Sequence, residues 1–133
     1  MNFDFTLDHW TDTARDAETV HYCVECLANI DRKIMREARE RGRPLPPLYR
    51  SGLRYQEQHG HETWGDALWA LKNGGGDCKV LSAYRIAELL LEGKPAHPVI
   101  LVQPNILGGI THHVCVGVGG IVEDPSSILG MKR

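Results

Sequence analysis

From Asp77 to Glu92 the chain offers few polar positions: Val80, Leu81, Ala83, Tyr84, Ile86, Ala87, Leu89, Leu90 and Leu91 make a helix apolar on most sides. Such a helix is stable only when covered, so the remaining elements must be arranged around it. It begins at Gly74-Gly75-Gly76-Asp77-Cys78, a glycine run that brings one cysteine to the helix start. Asp77 is a favoured N-cap residue, which predicts Cys78 at the first helical position. Unpaired N–H groups and the positive end of the helix dipole favour a thiolate there, so the thiol pKa is expected to be lowered. The glycines are expected to let a substrate backbone come close, and the same N–H groups to donate to a developing oxyanion.

The chain has 133 residues and is 42% hydrophobic, enough for one domain with a modest core. A net charge of −2 argues against a nucleic-acid binder driven by phosphate neutralisation. The basic run Arg32 to Arg43 is interleaved with Glu37 and Glu40 and reads as a solvated helix face. The stretch MNFDFTLDHW is acidic where a signal peptide would be positive, and no apolar run reaches membrane-spanning length. The expectation is a protein used in a reducing cytoplasm, not secreted by a signal peptide and without membrane or nucleic-acid partners. Cys23, Cys26, Cys78 and Cys115 are then free thiols.

Thr11 or Thr13 is a candidate cap for a helix reaching about Arg41, because Val20, Cys23/Val24, Leu27, Ile30, Ile34 and Ala38 recur at three- and four-residue spacing. Gly42 and Pro44 end it, and Pro46 and Pro47 favour an extended connector, with Leu48 to Tyr55 extended or irregular. A shorter helix is predicted over Glu62 to Lys72, with Trp64, Leu68 and Leu71 on one face and Trp69 off it. Gly93 and Lys94-Pro95 close the apolar helix. His97 to Gln103 and Thr111 to Val118 read as strands, and Gly119-Gly120 as a hairpin turn returning through Ile121 to Asp124. His59 and His61 fall in a polar loop. His21, Cys23 and Cys26 resemble half a zinc site, but no second ligand pair has suitable spacing; two cysteines on a buried helix face is the better reading, and no metal or cofactor is expected.

A nucleophilic thiol needs a base and a group that orients the base. A turn centred on Gly119-Gly120 puts Asp124 opposite Cys115 and diagonal to His113. His113, Cys115, Gly117, Val122 and Asp124 then share one face, and His112 falls on the other with Val114, Val116 and Val118. The small residues Cys115 and Gly117 are expected to let the Cys78 helix pack closely on the His113 face. This makes His113 the base candidate and His112 a flank, provided the register holds.

The order Gly-Asp-Cys at a helix start, His on a strand and Asp on the next resembles the transglutaminase-like branch of papain-like cysteine enzymes. Leu48-Tyr49-Arg50-Ser51-Gly52-Leu53-Arg54-Tyr55, Glu62-Thr63-Trp64, Gly76-Asp77-Cys78, Tyr84-Arg85-Ile86-Ala87-Glu88-Leu89, His113-Val114, Glu123-Asp124-Pro125-Ser126 and Leu129-Gly130-Met131 are similar to the small transglutaminase-like proteins of tailed bacteriophages and prophages. The likeness covers about Leu48 to Met131. It implies an α+β, papain-like core with the nucleophile helix on a small antiparallel sheet, and a Cys78-His113-Asp124 triad. The expected organisation is a single domain over 1–133, with a helical extension at 1–43 and a catalytic-type core at 48–131.

The implied function is a cysteine peptidase or amidase working through a thioester, in phage particle assembly or infection, with a peptide or protein amide as substrate. Gly76, Asp77 and Trp69 are the oxyanion or cleft candidates, and host cytoplasm or virion the expected location. The family usually follows the cysteine with acidic residues, where this chain has Lys79-Val80, so cleft contacts are expected to differ. The rival reading is a catalytically vestigial virion structural or adaptor protein that docks other virion proteins through its N-terminal helix.

Overall fold

The computed structural model describes residues 6–7, 14–58, 62–104 and 110–132. The candidate caps Thr11 and Thr13, the loop histidines His59 and His61, and the 105–109 segment lie outside the described residues. In chain order the elements are β1 (Thr6–Leu7), α1 (Ala14–Glu40), a 3-10 turn (Leu48–Arg50), β2 (Arg54–Tyr55), β3 (Glu62–Thr63), α2 (Ala67–Asn73), β4 (Gly75–Gly76), α3 (Cys78–Leu91), β5 (His97–Pro104), β6 (Ile110–Val118), β7 (Ile121–Glu123) and α4 (Pro125–Ile128). The class is mixed α+β, with a long N-terminal helix and a three-stranded antiparallel sheet in the order β5-β6-β7. Two short ladders accompany it, β1-β3 antiparallel and β2-β4 parallel.

The apolar helix is central, as its composition demands. Cys78 through Tyr84 are buried without a break, followed by Ile86, Ala87 and Leu89. Two hydrophobic clusters meet on it. In one, Cys78, Ala83, Ile86 and Leu89 pack with Val20, Val24, Leu27 and Ala28 of α1 and with Val114 and Val116 of β6. In the other, Val80, Leu81, Tyr84 and Ala87 pack with Met35, Leu48, Leu53 and Leu129. Each large aliphatic side chain so buried contributes roughly 1.5–3 kcal/mol, which ties α1 firmly to α3.

Polar bonds pin the flanking segments to the same helix. Tyr84 Oη donates to Pro46 O at 2.6 Å and Leu48 N donates to Glu88 Oε2 at 3.0 Å, which holds the proline-rich connector against α3. Ser82 Oγ donates to Val114 O at 3.0 Å and joins α3 to β6. The connector ends in a 3-10 turn closed by Arg50 N to Pro47 O at 2.9 Å, followed by the short strand β2.

The second helix begins later than its periodicity predicts. Asp66 is its N-cap and accepts from Trp69 N at 2.9 Å, while Glu62-Thr63 pair with β1 instead. A Cβ at Gly65 would lie 2.1 Å from the Trp69 ring, so the residue before the cap must be small. Trp64 is therefore outside the helix, fully buried in the α1/α3 cluster, and shares no helix face with Leu68 and Leu71. The start of α2 has a second partner from α1. Ala67 N donates to Asp31 Oδ1 at 2.7 Å, and burial pushes the Asp31 carboxyl well above its usual pKa.

Candidate functional site

The glycine run is used by the fold itself. Gly74 closes α2 in the left-handed conformation, φ 85°, which favours glycine. Gly75 and Gly76 then run parallel to β2, where a Cβ on Gly75 would sit 1.9 Å from Arg54 O. A Cβ on Gly76 would meet Val80 at 2.6 Å, and Gly76 O accepts from Gln56 N at 2.8 Å. The clearance expected to admit a substrate backbone is thus taken by β2 and by α3.

Asp77 is the N-cap of α3, and Cys78 occupies the first helical position. Asp77 Oδ1 accepts from Lys79 N and Val80 N at 3.1 and 3.3 Å. These two N–H groups, expected to be open to an oxyanion, are engaged by the cap. Lys79 does not project into a cleft either. It is buried, pairs with Asp77 through Nζ and Oδ2, and lies 5.4 Å from the Trp64 ring centroid. Its ammonium offsets the capping carboxylate next to Cys78 in a poorly solvated setting.

At the hairpin, Gly119 and Gly120 take φ of 58° and 78°, and Val118↔Ile121, Gly117↔Val122 and Val116↔Glu123 are the paired residues. This is the register inferred from the two-glycine turn. β7 ends at Glu123, and Asp124 becomes the N-cap of α4 with Pro125 at the first helical position. His113 Nε2 and Asp124 Oδ2 are 3.0 Å apart. Asp124 Oδ2 also accepts from Ser127 Oγ at 2.9 Å. Burial alone would raise the Asp124 carboxyl, but the His113 and Ser127 hydrogen bonds outweigh it and hold the pKa below the usual value.

The face that meets α3 is the opposite of the expected one. Val114 and Val116 pack with α3, and Glu123, paired with Val116, reaches Arg85 of α3 with Arg85 Nε to Glu123 Oε2 at 2.6 Å. Strand alternation then puts His112 on the α3 side and His113, Cys115 and Gly117 on the other. There, His97 and Val99 fill the space that a Cβ at Gly117 would need. The apolar valines, not the small residues, meet the helix because α3 is itself apolar.

Cys78 and His113 nevertheless line one cavity of about 400 Å3 near the start of β6, together with Tyr55, Glu57, His112 and Met131. Cys78 is 9% exposed and His113 6%. With Nε2 turned to Asp124, Nδ1 is the His113 nitrogen left to serve a thiol. Tyr55 on the cavity wall is pushed up to about 12, by burial first and then by the negative charge of Cys78, Glu57 and Asp77, so it remains a hydroxyl donor at neutral pH.

Of the sequence candidates, Cys78, His113 and Asp124 are thus brought to one region. Gly76 and Asp77 serve the backbone of that region. Trp69 is not among the described residues lining the cavity; its ring lies over Gly65. Cys23 is half-buried and Cys26 exposed, so the α1 thiols are not both on a buried face.

Two features lie outside the sequence expectations. Ser127 carries a local signal, the Asp-Pro-Ser-Ser capping pattern. The brace of Tyr49 Oη and Arg85 on Glu123, with Arg85 5.1 Å from the Tyr49 ring centroid, has no short-range signal because its members are far apart in the chain. Comparison with protein families, curated proteins and solved structures found no match to this chain.

Proposed function

We propose that this protein is a cysteine peptidase or amidase of transglutaminase-like type, with a papain-like arrangement of nucleophile helix and antiparallel sheet. The observation that carries the reading is the 3.0 Å His113–Asp124 contact on a cavity that Cys78 also lines. Cys78 Sγ at the positive end of α3 attacks an amide carbonyl, and a carbon–sulfur bond forms. His113 Nδ1 takes the thiol proton and delivers it to the departing amine, leaving a thioester on Cys78. Asp124 fixes the His113 tautomer through Nε2 and stabilises the imidazolium. Oxyanion contacts from α3 fall to the Cys78 N–H, and the hydroxyl of Tyr55, on the wall of the same cavity, adds a second. Water then resolves the thioester and yields the acid; an amine in its place yields transamidation. The setting we propose is phage particle assembly or infection, acting on a peptide or protein amide in the host cytoplasm or virion.

A specific observation favours the second reading, a vestigial virion adaptor: His113 lies on the strand face turned from α3. In that reading α1 docks other virion proteins through the face it does not bury, where Tyr22 is 61% exposed. A vinyl sulfone probe with a peptide amide handle separates the two at neutral pH. The enzyme reading expects Cys78 to be modified ahead of the exposed Cys26, with the reaction slowed about 100-fold in His113→Ala. Modification of Cys78 no faster than of Cys26 sinks it.

A further inference from the structure

Among the described residues, His113, Cys115 and Asp124 bring an imidazole nitrogen, a thiol sulfur and a carboxylate oxygen within 4.8 Å of one another. His113 and Cys115 are two residues apart on one face of β6, and Asp124 directly follows Glu123, the β7 residue paired with Val116. We infer that these three side chains form a binding site for a thiophilic divalent ion, with zinc as the fitting metal.

The donor set decides the class. Thiolate and imidazole favour zinc over the oxygen-seeking magnesium and calcium, and three protein donors with a fourth position open match its tetrahedral preference. Bond lengths of about 2.0–2.3 Å put donors of one tetrahedral ion on the order of 3.5 Å apart, so the group, now within 4.8 Å, closes by modest side-chain rotation. His113 and Cys115 are 6% and 2% exposed, which keeps competing water from the sulfur. Ser127 Oγ, already donating to Asp124 Oδ2 at 2.9 Å, orients the carboxylate as outer-shell partners of metal sites do.

Binding displaces one proton from Cys115 Sγ. Neutral His113 gives its Nε2 lone pair to the ion in place of the Asp124 hydrogen bond, and its proton then resides on Nδ1. That nitrogen can no longer accept a proton from Cys78, so the ion switches the thiol chemistry off. The switching rests on the peptidase reading above, whereas the binding does not.

Cobalt(II) titration under anaerobic conditions tests the site, in a Cys23→Ser/Cys26→Ser background that removes the α1 thiols beside His21. The expected result is a thiolate-to-cobalt charge-transfer band saturating at one equivalent, bleached by zinc, retained in Cys78→Ala and absent in Cys115→Ser. Asp124→Asn, which keeps a capping side chain at a partly exposed position, should bind at least about tenfold more weakly, and it decides the question if Cys115→Ser fails to fold. No band in the background protein, a band that survives Cys115→Ser, undiminished affinity in Asp124→Asn, or a band that requires Cys78 overturns the proposal. Labelling of Cys78 in metal-free protein is read separately, so failure of the metal site and failure of the peptidase reading are distinguishable.

Discussion

Asp124 performs two tasks with one carboxylate: it caps α4 through Ser127 and holds His113 through Oδ2. Both partners stabilise the ionised form, and its pKa in the folded protein is lowered. A carboxyl depressed on folding contributes stability that is present above its unfolded value, about 3.9, and is lost as pH falls through the lower folded value. The melting temperature of wild type should therefore exceed that of Asp124→Asn most clearly near neutral pH, and the gap should narrow below about pH 4. A gap that stays constant down to acid unfolding would show that the carboxylate charge is not what His113 and Ser127 select. Cys115 shows how little a residue type reveals alone. In the sequence it is a small strand residue, and only the hairpin register makes it a neighbour of His113 and Asp124.

At the scale of elements, the hairpin is held to α3 by charge as well as by valines. Arg85 and Glu88 lie one turn apart on α3, and Arg85 and Tyr49 converge on Glu123 immediately before Asp124. Glu123 is lowered: burial raises it, but the Arg85 and Tyr49 hydrogen bonds overcome that. A double-mutant cycle of Arg85→Met and Glu123→Gln in urea unfolding should give a coupling on the order of 1 kcal/mol for this half-buried pair. Strict additivity would remove the brace from the account. Much of this level was legible in the sequence, and for physical reasons. The Asp77 cap, the extent of α3 and the two-glycine register are local rules that the structure obeys. The start of α2 was not, because Trp64 satisfies helical spacing by coincidence while Gly65-Asp66 sets the true boundary. The face of β6 that meets α3 was not either, since alternation separates two faces without saying which one a distant helix covers. Asp31, fully buried on α1, was hidden because its partner at Ala67 is remote in the chain.

Over the whole molecule, α3 is the shared wall of two cores, and α1 forms one side of the first. Among the described residues, no helix is long and apolar enough to cross a membrane. Val20, Val24, Leu27 and Ala28 together cover Ala83, Ile86 and Leu89, so a chain beginning at residue 44 would expose that side of α3. At roughly 1.5–3 kcal/mol for each large apolar side chain, this loss is of the same order as the 5–15 kcal/mol by which domains are usually stable. The truncated chain should show no cooperative thermal transition by circular dichroism; a sharp transition would make α1 a separable appendage. The chemistry assigned to this frame is tested most directly by the pH dependence of Cys78 alkylation by iodoacetamide in wild type, His113→Ala and His112→Ala. An imidazole-assisted thiol should react well below the pH near 8.5 at which an ordinary cysteine ionises. His113→Ala should restore the ordinary profile, while His112→Ala should keep the wild-type one. An unchanged profile in His113→Ala, or its loss in His112→Ala alone, would contradict it.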